Sequence, residues 1–275
     1  MTSASERPRV LAERVEAALA ESARDFARYA LEHHPDAGAA YVDLDSGVAC
    51  FGGRYAGPNV GRCWGWGMGG PPSDADLDAA EAFHAQSGHE AAFFVNPYAD
   101  PGLVEKLQTR GYVQRRLEMV LCGTVPHVLA GAPPDRLRQV SLDDERDQAL
   151  ITRVYREVYG VEAPADIVLG NAEALAHGTN TASFVLEDED EFLGLCAIWS
   201  AGDVAYLLGS GVLPPHRGQG RQLELAHGRL RWAAARGAEM AFVIVPPGSA
   251  SETNMRRLGL SPAWTSAVWE RAGGP

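Results

Sequence analysis

Between Val212 and Gln222 the chain reads Val-Leu-Pro-Pro-His-Arg-Gly-Gln-Gly-Arg-Gln, which places two arginines, a histidine and two glycines within a few residues of one another. An apolar run from Val204 to Val212 stops at Pro214 and Pro215, and apolar residues resume at helical spacing at Leu223, Ala226, Leu230 and Ala233. The stretch therefore predicts strand, glycine-rich turn, helix. Such a turn aims several backbone N–H groups, backed by the positive end of a helix dipole, at one point beyond the strand's carboxyl end. That chemistry suits a phosphate or pyrophosphate. Gly218 and Gly220 let an anion reach the backbone, where a side chain would hold it off. Arg217 and Arg221 add charge beside that point, and His216 offers a further donor.

The spacing decides which phosphate ligand to expect. The dinucleotide pattern G-x-G-x-x-G is not met after this strand, and a Walker loop needs Lys and Ser or Thr where this chain has Arg221 and Gln222. The order Val212-x-Pro214-x-x-Arg217-Gly218-x-Gly220, between a strand and an amphipathic helix, instead resembles the acyl-CoA loop of the GNAT acyltransferase superfamily. The resemblance implies that Gly211, Val212, Leu213, Arg217, Gly218, Gln219, Gly220, Arg221 and Gln222 hold acetyl-CoA as cosubstrate. In that family the loop amides take the pyrophosphate and the preceding strand pairs with the pantetheine arm. It implies direct transfer of an acetyl group to a primary amine on a small molecule or peptide.

Acyl transfer from a thioester to an amine needs a neutral amine, a donor for the developing oxyanion, and a proton for the leaving thiolate. The family supplies the oxyanion donor from a backbone N–H of the central strand, here around Gly211 to Leu213. Its usual tyrosine, four residues before the glycine that closes the last short helix, falls on Met255, and Met donates no proton. The Asn that commonly opens that segment is replaced by Gly248, and the loop's usual final Gly or Ala by Gln222. Tyr206, Ser210 or a water then remain as proton donors, with Tyr206 equally readable as packing. These departures motivate a reading from another class, a CoA-binding sensor or scaffold without turnover. A third is a GNAT-like fold that has lost CoA.

A net charge of −12 and a pI near 5.1 argue against nucleic acid and anionic membrane surfaces as partners. Cysteines at 50, 63, 122 and 196 form no C-x-x-C pair, which predicts reduced thiols, no metal and a cytoplasmic protein. No run reaches the ~20 apolar residues that span a bilayer.

The surrounding pattern alternates strands and helices. Helices are expected over Arg9–Leu31, Asp74–Gln86, Pro101–Thr109, Asp143–Tyr159, Ala165–His177, Gln219–Arg236 and Ser251–Leu258. Strands are expected over 39–44, 48–51, 91–95, 112–121, 137–141, 183–186, 192–200, 204–212, 240–245 and 263–269. Ala91-Ala-Phe-Phe-Val95 with its following helix, Gly111 and Tyr112 mirrors Ala241-Phe-Val-Ile-Val245 with its helix, Gly259 and Leu260. The expected fold class is α+β, a mixed sheet with flanking helices, as two tandem GNAT folds. Residues 1–125 form a degenerate first copy, 126–135 a linker, and 136–275 the copy with the acyl-CoA site. In the first copy Trp64-Gly-Trp-Gly-Met-Gly-Gly-Pro-Pro stands where the anion loop would be, without Arg-Gly-x-Gly. A substrate cleft between the domains is expected to draw on Trp64, Trp66, Tyr155, Tyr159 and Trp199.

Overall fold

The computed structural model describes residues 6–55, 61–132, 135–189 and 191–272; Gly57-Pro58-Asn59, Pro133, Pro134 and Asp190 lie outside them. In chain order the elements are α1 (Glu6–His33), β1 (Ala40–Leu44), β2 (Gly47–Phe51), β3 (Cys63–Trp64), α2 (Asp74–Gln86), β4 (Phe93–Val95), α3 (Pro101–Thr109) and β5 (Tyr112–Thr124). They continue with α4 (Val125–Leu129), β6 (Leu137–Gln139), α5 (Glu145–Glu157), α6 (Ala165–His177), β7 (Thr181–Asp188) and β8 (Glu191–Ala201). The last five are β9 (Val204–Val212), α7 (Arg221–Ala234), β10 (Met240–Val245), α8 (Ala250–Leu258) and β11 (Ser261–Arg271). Two compact units result: Met1–Val120 with Ala263–Pro275, and Leu121–Pro262.

In the first unit the strand order is β1-β2-β3-β4-β11-β5. β1 and β2 form the expected hairpin, Ala40 opposite Phe51. Ser73 caps α2 by accepting the Asp76 N–H at 3.0 Å, and Asp100 caps α3 by accepting from Gly102 at 2.8 Å. The core gathers Trp66, Leu77, Phe93, Leu103, Tyr112 and Trp269.

In the second unit the order is β10-β9-β8-β7-β6. The apolar stripe of α5, Leu150, Ile151 and Val154, packs with Val168 and Ala172 of α6 over Val185, Leu195 and Leu213. β10 runs parallel to β9, as its continuous apolar composition requires.

The segment read as a connection differs from expectation. Gly123 and Thr124 extend β5, and Val125–Leu129 is helical, with Val125 and Val128 buried. Pro126 is tolerated because it falls in the first turn, where its missing N–H has no helical partner. The compact units divide at Val120 and Leu121, upstream of the expected linker. Residues 263–275, read as part of the second copy, group with the first unit. There Ala267, Val268 and Trp269 pair antiparallel with Val95, Phe94 and Phe93.

Candidate functional site

β9 and β10 begin as neighbours and part. Their ladder pairs Val204 with Met240, Ala205 with Ala241 and Tyr206 with Phe242, and stops there. Six further residues of β9, Leu207 to Val212, run on without it, a free edge of about 20 Å at ~3.3 Å per residue. On its other edge β9 stays paired with β8, through a bulge that sets Leu208 and Gly209 opposite Ala197. The buried guanidinium of Arg229, from α7, fills that bulge by donating to the carbonyls of Ala197 and Leu208. Antiparallel alternation decides which amides face the free edge. The Leu213 N–H donates to Leu193 O at 3.0 Å, so Gly211 is the next residue bonded to β8. The N–H groups of Ser210 and Val212 therefore point away from β8.

Two glycines bring α5 down onto this section of β9. A Cβ on Gly211 would stand 2.9 Å from Val154 Cγ1, and one on Gly209 would stand 3.3 Å from the Tyr159 hydroxyl. Alternate glycines in a strand mark such a close approach.

At the end of β9 the chain turns through Pro214–His216 into the loop. Gly218 and Gly220 have φ of 75° and 80°, the left-handed region, and Gly220 caps α7, so the helix starts at Arg221 rather than Gln219. An added Cβ at either glycine would meet nothing of the protein within 4 Å. Among the described residues the N–H groups of Gly218, Gln219, Gly220, Arg221 and Gln222 have no hydrogen-bond acceptor. Five consecutive amides at a helix N-terminus, on an exposed turn beside an unpaired strand edge, form an anion cradle.

The model of the acetyltransferase (GNAT) family matches residues 148–259. This segment is a GNAT domain. A GCN5-related N-acetyltransferase from Kribbella flavida is 18% identical with a TM-score of 0.63, over 92% of this chain and 96% of that one. A tandem GNAT protein from the clavulanic acid biosynthesis pathway is 14% identical with a TM-score of 0.55, over 76% and 71%. A functionally unknown conserved protein from Staphylococcus epidermidis is 11% identical with a TM-score of 0.58, over 86% and 94%. No curated protein matches the chain. With the mixed sheet of each unit, these findings give the chain the architecture of two tandem GNAT folds.

Within the GNAT domain the basic side chains of the loop are held by other groups. Arg217 Nε donates to Val212 O at 3.1 Å, and Arg221 donates to Glu224 Oε1 at 2.8 Å. His216 Nε2 lies 3.4 Å from Glu191 Oε1, and the Gln219 amide donates to Pro215 O at 3.3 Å. The ring of Tyr206 is stacked on Phe242, centroids 4.6 Å apart, at the last pair of the ladder. Ser210 Oγ is buried and has no hydrogen-bond partner among the described residues. Met255 is in the core, 1% exposed.

Sequence reasoning missed three features: the buried Arg229, the glycine pair 209 and 211, and the carboxylates Glu191 and Glu224 that engage the loop. The glycine pair carried a readable signal, a Gly-x-Gly inside an apolar strand. Of the expected aromatic lining, Trp64, Trp66 and Trp199 are buried, with Trp64 and Trp66 in the first unit. Tyr155 and Tyr159 line a cavity in the second.

The first copy closes its own loop. The Gly65 N–H donates to Glu16 Oε2 at 3.3 Å, and Glu16 Oε1 accepts from Asn96 Nδ2 at 3.0 Å. Gly67 O accepts from Asp100, and the Trp66 indole N–H donates to Val48 O. Burial pushes the Glu16 carboxyl up to about 7. A carboxylate from α1 thus stands on an amide of the loop that corresponds to the anion cradle of the second copy.

Proposed function

We propose that the GNAT domain binds acetyl-CoA along the free edge of β9 and transfers the acetyl group directly to a primary amine of a small molecule or peptide. The observation that carries this is the run of five amides, Gly218 to Gln222, without acceptors among the described residues, at the end of a strand that has one free edge. Gly218, Gln219 and Gly220, with Arg221 and Gln222, hold the pyrophosphate through main-chain N–H groups. Arg217 and Arg221 lend charge. Gly211 and Val212 line the pantetheine arm, Leu213 anchors the strand end to β8, and the edge-facing N–H groups of Ser210 and Val212 pair with the arm or the thioester oxygen.

In the transfer the amine nitrogen attacks the thioester carbonyl carbon, and an edge N–H of β9 stabilises the oxyanion. The C–N bond forms, the C–S bond breaks, and the sulfur leaves with its electron pair. The Ser210 hydroxyl, buried and unpartnered, is the assigned proton donor to that sulfur, and a proton shed by nitrogen restores it through water. Tyr206 shapes the point where the strands part. The buried, unpaired thiols of Cys50, Cys63 and Cys196 support a cytoplasmic setting.

Met255 in the core favours a second reading, CoA binding without turnover, because it puts no proton donor at the position where the family usually has its tyrosine. One assay separates the two. The protein is incubated with acetyl-CoA and a panel of amines, and free thiol is followed above the blank, with CoA binding measured by calorimetry. Thiol release that depends on one amine class supports transfer. Binding with no release under any amine supports the second reading, and no binding refutes both.

A further inference from the structure

Arg229 of α7 is 1% exposed, and among the described residues no carboxylate balances its charge. The titratable groups that act on it are the Cys196 thiol and the Tyr159 hydroxyl, and burial pushes both up, which leaves them neutral. Its Nε has no partner among the described residues, and its hydrogen bonds go to the carbonyls of Ala197 and Leu208. Two carbonyls need a donor, and a neutral one would meet that need without burying a cation that lacks a counter-ion.

The place of those bonds gives the charge a use. Leu208 is the second residue of β9 past Tyr206, where the pairing with β10 stops. Its carbonyl belongs to the peptide that leads into Gly209, and the peptide on the far side of Gly209 carries the Ser210 N–H, one of the two that face the free edge. Only Gly209, the residue type with the freest backbone, stands between the two peptides. The guanidinium on Leu208 O fixes one side of that glycine, and the pairing of Ser210 and Gly211 with β8 fixes the other. The Ser210 N–H is also farther from the glycine-rich loop than the Val212 N–H, so it lies nearer the reactive end of an arm that runs along β9 from its pyrophosphate.

Resting on the acyl-CoA reading above, we propose that Arg229 is a positioning residue for the transfer: it holds the Ser210 N–H on the thioester oxygen and sets a fixed positive charge behind it. Negative charge developing on that oxygen then meets a donor and a field already in place, in a site where water does not screen them.

The test compares Arg229→Gln, which keeps a donor and loses the charge, with Arg229→Lys, which keeps the charge. Acetyl-CoA isotopically labelled at its carbonyl carbon is bound to each folded protein and its carbonyl stretch read by infrared difference spectroscopy, a measurement that needs no turnover. CoA affinity is measured by calorimetry, and kcat and KM wherever an amine is accepted. Wild type should lower the stretch below that of free acetyl-CoA, Arg229→Lys should keep most of the shift, and Arg229→Gln should lose it. In turnover Arg229→Gln should lose about 10- to 100-fold in kcat, with KM and the Kd for CoA within about threefold of wild type. A purely structural arginine would move stability or affinity and leave the bound carbonyl where it was. Arg229→Gln with the wild-type stretch therefore overturns the proposal, as does an equal loss in both variants. Where neither variant folds, the wild type decides: a bound stretch equal to the free value overturns the proposal, and a lowered one supports it. These results with CoA binding intact sink this inference alone, whereas no CoA binding in the wild type sinks the acyl-CoA reading and this inference with it.

Discussion

Replacing Gly220 with leucine separates the backbone cradle from every other account of the loop. Gly220 sits at φ 80°, and an added Cβ would meet no protein atom within 4 Å. The folded protein therefore bears only the left-handed penalty, about 1–2 kcal/mol. For a unit of this size that corresponds to a Tm lower by about 2–8 °C. The empty space beside that Cβ is the space an anion must enter to reach the amides of Gly218 to Gln222, so the ligand bears the larger effect. Losing two or more charge-assisted bonds, at about 1.5–3 kcal/mol each, raises the Kd for CoA by at least about 100-fold. Gly202→Leu is the control. Gly202 is also left-handed at φ 56° with open space around it, and it precedes β9 at the end opposite the loop. It should show a similar Tm loss and unchanged CoA affinity. Calorimetry with CoA and a thermal melt of both variants check this. Equal CoA affinity in Gly220→Leu and wild type would refute the cradle.

Three further outcomes follow from side chains around the two loops. Glu224→Gln releases Arg221 from its 2.8 Å partner; CoA affinity should rise by about two- to fivefold at low salt and the gain should vanish near 1 M salt, by calorimetry in both buffers. Arg229→Met strips the Ala197 and Leu208 carbonyls of their donor at the bulge. A loss of about 2–4 kcal/mol is expected by urea denaturation, with no such loss refuting the bulge as its anchor. Burial raises the Glu16 carboxyl from 4.5 to about 7, so between those values the folded chain holds a proton the unfolded chain has released. Stability therefore falls as pH rises through that window, by about 3 kcal/mol, and is level above it. Denaturant melts from pH 4 to 8 should show that fall in wild type and not in Glu16→Gln.

Much of the fold was legible because it is local. Ala165–His177 and Met240–Val245 take the bounds their periodicity predicts, since helical spacing and an unbroken apolar run are written in adjacent residues. The loop was legible for the same reason, its glycines being fixed by the turn itself. What the sequence hid depends on distant partners. That Ala263–Pro275 completes the first unit rests on the register of Trp269 against Phe93, 176 positions apart by their numbers. Arg229 reads as an ordinary polar residue of an amphipathic helix, and only the bulge opposite Ala197 gives its buried charge a reason. The linker was misread because Gly, Pro, Thr and His suggest punctuation, while Val125 and Val128 at i and i+3 had enough apolar surface to hold one helical turn.

The two copies differ in how their backbone hydrogen bonds are completed, and the difference supports reading the second loop as the anion site. Every main-chain N–H must find an acceptor, in the protein or in solvent. In the first loop the partners are internal: Glu16 accepts from the Gly65 N–H, Gly67 O accepts from the Asp100 N–H, and the Trp66 indole N–H donates to Val48 O. The two tryptophans of that loop are buried. In the second loop the same strand–turn–helix order leaves Gly218 to Gln222 facing outward, and β9 loses β10 just where the next bonds would form. Those open groups cost little while solvent reaches them, and they cost less still once a diphosphate and an amide-bearing arm take their place. A carboxylate introduced to mimic Glu16 beside the second loop would compete for the same amides, whereas Glu191 engages the side chain of His216, Glu224 those of Arg221 and Arg136, and both leave the amides of Gly218 to Gln222 free.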